Sequence, residues 1–428
     1  MVIRSIAPPI KDPVDFKITL PQSRRINLSN GVEVYIVEAE AEETVMFNWV
    51  FYAGNSYETK NTVAAATNYL LKNGTSRLTA FDINEHFDFY GSYLNRSAYN
   101  ETAEITLHCL SKHADELLPV VAEIISDSVF AEEELSTYKQ NAIQRLKVGL
   151  QKCDFVASRL IDANLFGEKH PYGKYSRIED YESLQVEDLR AFYNEHYQQG
   201  KCVMFIAGKI PSGTLEKVEQ YFGTLPLSNH RKADKGPVIA VEPSATRKQR
   251  IINDPQGVQA AIRIGRHFPN RQHPDFQKAI VLNTLFGGFF GSRLMANIRE
   301  EKGYTYGIYS YMMNHVHQGG LMISTEAGRD VSEATVEEVY REMRDLREEP
   351  VDDEELQVTR SYMIGSILGD LEGPFQVMAR WKNIVLHDVS EAYFYNGLEI
   401  IRKTTALELQ ELANKYLVPE AFYELTVI

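Results

Sequence analysis

The chain has 428 residues, of which 44% are hydrophobic and 24% are charged. This length and balance are typical of a globular protein with about two or three packed domains. The net charge of −14 comes from acids spread among lysines and arginines, which argues against a nucleic-acid partner and favours the attraction of basic peptides. No segment approaches about 20 uninterrupted apolar residues, so we also expect no membrane partner.

The cysteines are Cys109, Cys153 and Cys202, which are odd in number and lack CxxC spacing. This pattern argues against a disulfide framework and against a cysteine-based metal site, and it favours a reducing compartment. The first residues contain no apolar stretch of the length that a secretory signal requires. We therefore expect a cytoplasmic protein, or a periplasmic one if a leader has been removed.

Residues 1–25 contain four prolines and predict an extended arm that lies on the protein's own surface or on a partner. Folding is expected to begin at Ile26, because Asn30-Gly31 between two β-rich runs predicts a hairpin. A buried strand and then a helix from about Thr62 to Leu71 follow. Later segments predict a strand at 105–111, helices at 111–130 and 133–150, and a buried strand at 202–210.

The second half of the chain repeats this order. The helix-opening segment 130–135 is echoed at 351–356, and the helix 186–197 is echoed at 406–417, with an offset of 220 residues. So long a period indicates two duplicated domains and not a solenoid. Each domain is predicted to be α+β, with helices packed on one face of a mainly antiparallel sheet. The expected division is an N-terminal arm at 1–25, a first domain at 26–227, a linker at 228–250 and a second domain at 251–428.

A motif near the start carries the main functional signal. Residues 53–75 read AGNSYETKNTVAAATNYLLKNGT, which resembles the start of the pitrilysin and mitochondrial-processing-peptidase family of zinc metallopeptidases. The family motif is HxxEH, followed by a short apolar run and Gly-Thr. Counting back from Gly74-Thr75 places the two histidine ligands at Ala65 and Tyr69 and the catalytic glutamate at Asn68.

The chemistry of the motif explains why these replacements matter. Histidines at i and i+4 lie on one helical face and bind zinc, while the carboxylate between them takes a proton from the metal-bound water. A methyl group has no lone pair, and neither an amide nor a phenol replaces the carboxylate base. The resemblance places the third ligand, a distal glutamate, on or next to Arg145, where a cation would repel zinc. It therefore implies that this chain has lost the zinc site and holds no cofactor.

The segment LFGGFFGSRLMANIREEKGYTYGIYSYM at 285–312 resembles the glycine-rich turn, helix and strand of the same family. This resemblance implies that Arg299 and Tyr306 contact the substrate near the scissile bond, and that in two-chain members the noncatalytic chain supplies them. A guanidinium and a phenol are suitable donors to the negative charge that develops on the carbonyl oxygen. The residues alone would favour a solvated arginine and a packing tyrosine. The glycines of the segment are expected to permit a tight turn or a close backbone approach.

Other candidates are weaker. His315 and His317 have strand spacing, and without a neighbouring carboxylate or cysteine we expect two exposed histidines and no metal site. The resemblance implies that the turn 170–173 is structural. It places Asn95 where active members of the family pass substrate along an edge strand, and we expect no such role for it in this chain. Five aromatic residues could line a chamber or fill the core, and we expect most of them in the core: Phe87, Phe89, Tyr90, Tyr93 and Tyr99.

Together these features predict the noncatalytic subunit of a heterodimeric zinc peptidase. A homologous HxxEH-containing partner would hold the zinc, and the two chains would close like a clam shell around a peptide-binding chamber. This chain would supply Arg299 and Tyr306 in trans, and in isolation it could form a homodimer. The alternatives are a nonenzymatic peptide-binding or assembly subunit, and an autonomous enzyme that uses His315 and His317.

Overall fold

The computed structural model describes residues 12–40, 42–229 and 239–428. Residues 1–11 of the predicted arm and 230–238 of the predicted linker therefore lie outside the described residues. The described part of the arm lies along the second half of the chain. The Leu20 amide donates to the Tyr395 hydroxyl at 3.3 Å, and the Trp381 indole donates to the Pro21 carbonyl at 2.8 Å.

The first half alternates strands and helices. Its strands are β1 (Arg24–Asn27), β2 (Glu33–Glu38), β3 (Thr44–Phe51), β4 (Tyr93–Ala98), β5 (Ala103–Leu110), β6 (Lys201–Gly208) and β7 (Ser228–Asn229). Its helices are α1 (Val63–Leu70), α2 (Ala80–Phe89), α3 (Ala114–Asp127), α4 (Glu132–Gly149), α5 (Cys153–Phe166), α6 (Ile178–Ser183), α7 (Val186–Tyr193) and α8 (Thr214–Phe222). The predicted hairpin forms between β1 and β2, and Gly31 adopts a φ of 87° in its loop.

The second half follows the same plan. Its strands are β8 (Lys248–Ile251), β9 (Gln259–Phe268), β10 (Thr305–Asn314), β11 (Gly319–Gly328) and β12 (Tyr423–Val427). Its helices are α9 (Phe276–Asn283), α10 (Ser332–Glu348), α11 (Asp353–Gly369), α12 (Pro374–Leu386), α13 (Glu391–Lys403) and α14 (Ala406–Tyr416). No helix in the described part of the chain is long and apolar enough to cross a membrane.

The two sheets have the same topology. The first has the order β1-β2-β6-β3-β5-β4, with the short β7 beside β6, and the second has the order β8-β12-β9-β11-β10. The pair β2 with β6 in the first sheet and the pair β8 with β12 in the second are parallel, as is the short pair β6 with β7. The pairs that continue toward β4 or β10 are antiparallel. This strand-by-strand correspondence confirms the predicted α+β architecture with two homologous, mainly antiparallel units.

In each sheet, helices cover both faces of the central strands. In the first sheet, alternate residues of β2 and β6 point toward α1, α3, α7 and α8, and the intervening residues pack against α12 from the second half. In the second sheet one face packs against α9, α10 and α14, and the other against α5 from the first half. The prediction placed helices on one face of each sheet. In addition, each half contributes one helix, α5 or α12, that covers the second face of the other half's sheet.

Polar contacts fasten the exchanged helix α12 to the first sheet. The Lys382 ammonium lies 2.8 Å from the Glu104 carboxylate, and the Asn48 amide donates to the same carboxylate at 3.1 Å. Glu104 is only 7% exposed. Because a buried carboxylate requires a partner, this ion pair ties the two halves together at a defined point.

Candidate functional site

Helix α1 carries the positions that correspond to the zinc motif. The Glu58 carboxylate caps its first turn by accepting hydrogen bonds from the amides of Thr62 at 3.2 Å and Ala64 at 2.9 Å. Acceptors at a helix N-terminus satisfy amides that have no partner within the helix. Ala65 and Tyr69 lie on the exposed face of this helix.

Asn68 points into the protein and is only 3% exposed. Its amide donates to the Glu104 carbonyl at 3.3 Å and to the Tyr197 hydroxyl at 3.2 Å. Burial raises the pKa of Tyr197 well above its ordinary value, so this neighbour stays neutral at physiological pH. The amide therefore holds α1 against β5 and is not available as a proton acceptor.

Tyr69 and Arg145 likewise provide no metal site. The ring of Tyr69 packs 5.1 Å from the ring of Tyr138, and the Arg96 guanidinium lies 5.1 Å above it. Arg145 is an exposed cation on α4. The four positions present a methyl group, an amide, a phenol and a guanidinium, and this set does not fit zinc. Across residues 12–40, 42–229 and 239–428, no three His, Cys, Asp or Glu residues converge as potential metal ligands.

The glycine-rich turn brings the end of α9 against β10. A Cβ atom on Gly287 would lie 2.6 Å from the Ser310 hydroxyl and 2.8 Å from the Ser310 amide nitrogen. Only glycine fits such an approach. The structure thus confirms the prediction of close backbone contact here.

Arg293 anchors the helical segment that follows the turn. Its Nε and Nη2 atoms donate to the two carboxylate oxygens of Glu355 on α11 at 2.7 and 2.8 Å. A two-point contact of this kind fixes orientation as well as position. Sequence reasoning missed Arg293, although the Ser-Arg-Leu sequence at 292–294 was a usable signal because it repeats Ser-Arg-Leu at 76–78.

Arg299 and Tyr306 are brought into contact. The Arg299 Nε donates to the Tyr306 carbonyl at 3.0 Å, the guanidinium lies 4.7 Å above the Phe290 ring, and Glu300 accepts a hydrogen bond from Nη1. The Arg299 side chain remains 32% exposed. Tyr306 is 92% exposed, and the pairing of β10 with β11 is irregular on either side of it, between Thr305 and Ile308. Arg299 is therefore held in place by its neighbours, whereas the phenol of Tyr306 extends into solvent.

Tyr306 stands at a cleft of about 760 Å³. The cleft is formed by residues 151–154 between α4 and α5, by residues 254–261 at the start of β9, and by the first residues of β10. Three carboxylic acids line it, Asp154, Asp254 and Glu326, against a single lysine, Lys152, and Glu326 is paired with Arg263 at 2.7 Å. A cleft of this character favours ligands with positive charge.

The two candidate regions have separate surroundings. The hydrogen bonds and ring contacts of Asn68 and Tyr69 involve partners between Arg96 and Tyr197. Those of Arg299 involve Phe290, Glu300 and Tyr306. The altered zinc helix therefore belongs to the first half, and the arginine and tyrosine belong to the second.

The weaker candidates differ from expectation in two respects. His315 lies in the loop after β10 and not in a strand, and it is partly buried, with its ring stacked 4.0 Å from that of Tyr172. The expectation of an exposed strand histidine is therefore wrong. Its Nδ1 lies 3.0 Å from the Asn100 amide, so it joins the two halves. The turn at 170–173 takes part in the same junction, because Tyr172 donates to Glu101 and accepts from the His317 amide.

The expectation that most of the five aromatic residues fill the core is also wrong. Phe87 is 2% exposed, but Phe89, Tyr93 and Tyr99 are 80%, 65% and 54% exposed. Asn95 is exposed on β4, which forms the edge of the first sheet. An edge strand flanked by exposed aromatic side chains is a surface suited to binding another chain.

The fold and this geometry together define a peptidase-like two-domain protein whose metal-binding positions are altered. Residues 183–363 match the family described as Peptidase M16 inactive domain. The chain is 25% identical over 360 residues to a Bacillus subtilis protein named "Uncharacterized zinc protease YmxG", covering 83% of this chain and 86% of that one. It is 24% identical over 212 residues to the mitochondrial-processing peptidase subunit beta of Caenorhabditis elegans, covering 49% of this chain and 46% of that one.

A solved structure shares the fold. The crystal structure titled as a peptidase M16 inactive domain from Pseudomonas fluorescens superposes with a TM-score of 0.82 at 22% identity, covering 95% of this chain and 98% of that one. These comparisons confirm the resemblance inferred from the sequence. The matched family model and these relatives support a noncatalytic member of the M16, or pitrilysin, family.

Proposed function

We propose that this chain is the noncatalytic subunit of a two-chain zinc peptidase. A homologous partner with an intact HxxEH helix holds the zinc, and this chain closes the chamber and presents Arg299 and Tyr306 to the bound peptide. One observation carries the proposal. Tyr306 is 92% exposed at the mouth of a cleft, although the zinc positions of the same chain are inert.

The chemistry of the two side chains suits this role. Peptide hydrolysis places negative charge on the carbonyl oxygen, and fixed donors directed at that oxygen stabilise the transition state. Arg299 is held by the Tyr306 carbonyl and the Phe290 ring, so little conformational freedom is lost when it binds a peptide. The Tyr306 hydroxyl is free to turn toward substrate.

The substrates that fit are extended peptides carrying basic residues. The edge strands β4 and β10 leave backbone groups available for strand addition, which is a common mode of peptide recognition. The acids Asp154 and Asp254 beside Tyr306 would attract lysine or arginine side chains of the peptide. The free thiols of Cys109, Cys153 and Cys202 support assignment to the reducing cytoplasm.

A nonenzymatic peptide-binding or assembly role is the second candidate. The exposed Phe89, Tyr93 and Tyr99 beside the edge strand β4 favour a binding surface of some kind. This role predicts a stable complex without peptide turnover. An autonomous enzyme based on His315 and His317 is not supported, because His315 is engaged by Tyr172 and Asn100.

Reconstitution tests the proposal. This chain and the HxxEH-containing homologue from the same organism should be purified separately and together, and cleavage of a quenched peptide with basic residues should be measured. We expect turnover only from the mixture, with zinc bound to the partner. Peptidase activity and bound zinc in this chain alone would refute the proposal, and a stable but inactive mixture would favour the assembly role.

A further inference from the structure

A second cavity lies among the helices of the second half, away from the cleft at Tyr306. It has a volume of about 360 Å³ and is enclosed by α9, α11, α12 and α13. This size falls within the range of small-molecule sites. Its walls are mainly apolar: Ile280, Met363, Ile367, Ile384, Phe394, Leu398 and Ile401. We call it the Arg271 cavity.

The cavity corresponds by pseudo-symmetry to the altered zinc position of the first half. Helices α9 and α11 are the counterparts of α1 and α4. When Leu285-Phe286 is aligned with Leu70-Leu71, Ile280 takes the place of Ala65 and Thr284 that of Tyr69. Both Ile280 and Thr284 line the cavity. The duplicated fold thus creates the same kind of recess twice, and the copy in the second half has apolar walls.

One charged group in this cavity has no counter-ion. Arg271 makes no hydrogen bond or ion pair with any residue that the structure describes, and its Nε atom is fully buried without a partner. Burial is the main cause that lowers the pKa of Arg271, and the nearby Arg380 lowers it further. Arg380, by contrast, is paired with Asp370. An uncompensated guanidinium beside apolar walls is costly to maintain.

We propose that the Arg271 cavity binds a small amphipathic monocarboxylate, with the carboxylate on Arg271 and the hydrocarbon body against the apolar walls. A single uncompensated cation matches a single negative charge. A carboxylate also matches the forked donors of a guanidinium. The second arginine of the wall, Arg380, is already paired with Asp370, so the cavity offers one uncompensated positive charge and not the two that a phosphate dianion would require. Gln277, Asn383 and Tyr393 supply further polar atoms at its wall.

Decanoate is a suitable probe of this site. Isothermal titration calorimetry at pH 7.5 with the full-length chain should show one decanoate site per chain, with decanol binding at least about 10-fold more weakly because it lacks the charge. Arg271→Leu should weaken decanoate binding by about 10- to 100-fold. Arg341→Leu, which changes a half-exposed arginine on α10, should leave binding unchanged.

Two controls keep the outcome decisive. The melting temperature of unliganded Arg271→Leu should equal or exceed that of the unmodified chain, because the substitution removes an uncompensated buried charge. Equal binding of decanoate and decanol to the unmodified chain would overturn the proposal, whether or not the variant folds. Equal decanoate binding by a folded Arg271→Leu variant would also overturn it, since the ligand would then lie elsewhere.

Discussion

The altered zinc helix of the first half and the arginine–tyrosine segment of the second half differ in how their polar side chains are used. Asn68 is 3% exposed and is bonded to Glu104 and Tyr197. Tyr306 is 92% exposed, and nothing in its position suggests a packing role. In the first region, Asn68 therefore serves the packing of the fold. The second leaves the Tyr306 side chain in solvent and holds Arg299, which is 32% exposed, through Tyr306, Glu300 and Phe290. This is the pattern expected of residues positioned to contact a ligand.

The largest effect should come from placing a carboxylate at position 68, where the family motif has glutamate. Asn68→Glu should lower the free energy of unfolding by about 3 kcal/mol or more, because a buried carboxylate would face the Glu104 carbonyl without a cation. Urea unfolding measures this change. Ala65→His and Tyr69→His lie on the exposed face and should each cost about 0.5 kcal/mol or less. Equal tolerance at all three positions would show that Asn68 is not locked into the fold.

A smaller loss in the free energy of unfolding should follow when the Arg293–Glu355 ion pair of the second region is removed. Arg293→Met leaves Glu355 partly buried without its partner and should destabilise the chain by about 2 kcal/mol, measured by urea unfolding. The double variant Arg293→Met with Glu355→Met should recover most of this loss, because it removes both charges. If the double variant is no more stable than the single one, the ion pair is not what orients the segment.

Acid should weaken the junction between the two halves of the chain at His315. Burial lowers the pKa of His315 to about 4, with a smaller contribution from His170, whereas the unfolded chain has a pKa near 6.5. The unfolded state therefore binds the proton first, so this contribution to stability is complete above about pH 6.5 and is lost as the pH falls toward 4. Between pH 7 and pH 5 the unmodified chain should lose about 1–2 kcal/mol more than His315→Phe. Parallel losses in both proteins would contradict this account.

The smallest effect on folding is expected at the exposed tyrosine. Tyr306→Phe and Tyr306→Ala should each change the free energy of unfolding by about 0.5 kcal/mol or less, because the side chain lies in solvent. Thermal unfolding is sufficient to measure it. A loss of several degrees in the melting temperature would mean that the phenol packs against the protein and would weaken its assignment to ligand contact.

Much of the fold was predictable because local patterns and the internal repeat agree. The predicted helix from about Thr62 to Leu71 forms as Val63–Leu70, and the predicted strand at 202–210 forms as Lys201–Gly208. The exchange of α5 and α12 was not predictable, since their apolar periodicity shows only that one side is buried and does not identify the sheet that covers it.

The candidate site was predictable only in part. The resemblance located Arg299 and Tyr306, and the structure brings them into contact. Local sequence could not show that Asn68 bonds to Tyr197, because that contact joins residues 129 positions apart. Likewise, the aromatic character of Phe89 and Tyr93 suggested a core, but their strand and helix lie at the edge of the first sheet, where no layer covers them.

The central claim is that this chain, and not the zinc-holding partner, supplies the arginine that contacts the substrate. The most direct test compares two arginine variants in the reconstituted peptidase. One pair carries Arg299→Ala in this chain, and the other carries the same change at the corresponding arginine of the partner. We expect Arg299→Ala here to lower kcat by about 10²–10³-fold with the pair still assembled, while the change in the partner has a much smaller effect. Equal turnover with and without Arg299 would contradict the account, as would loss of activity only when the partner's arginine is changed.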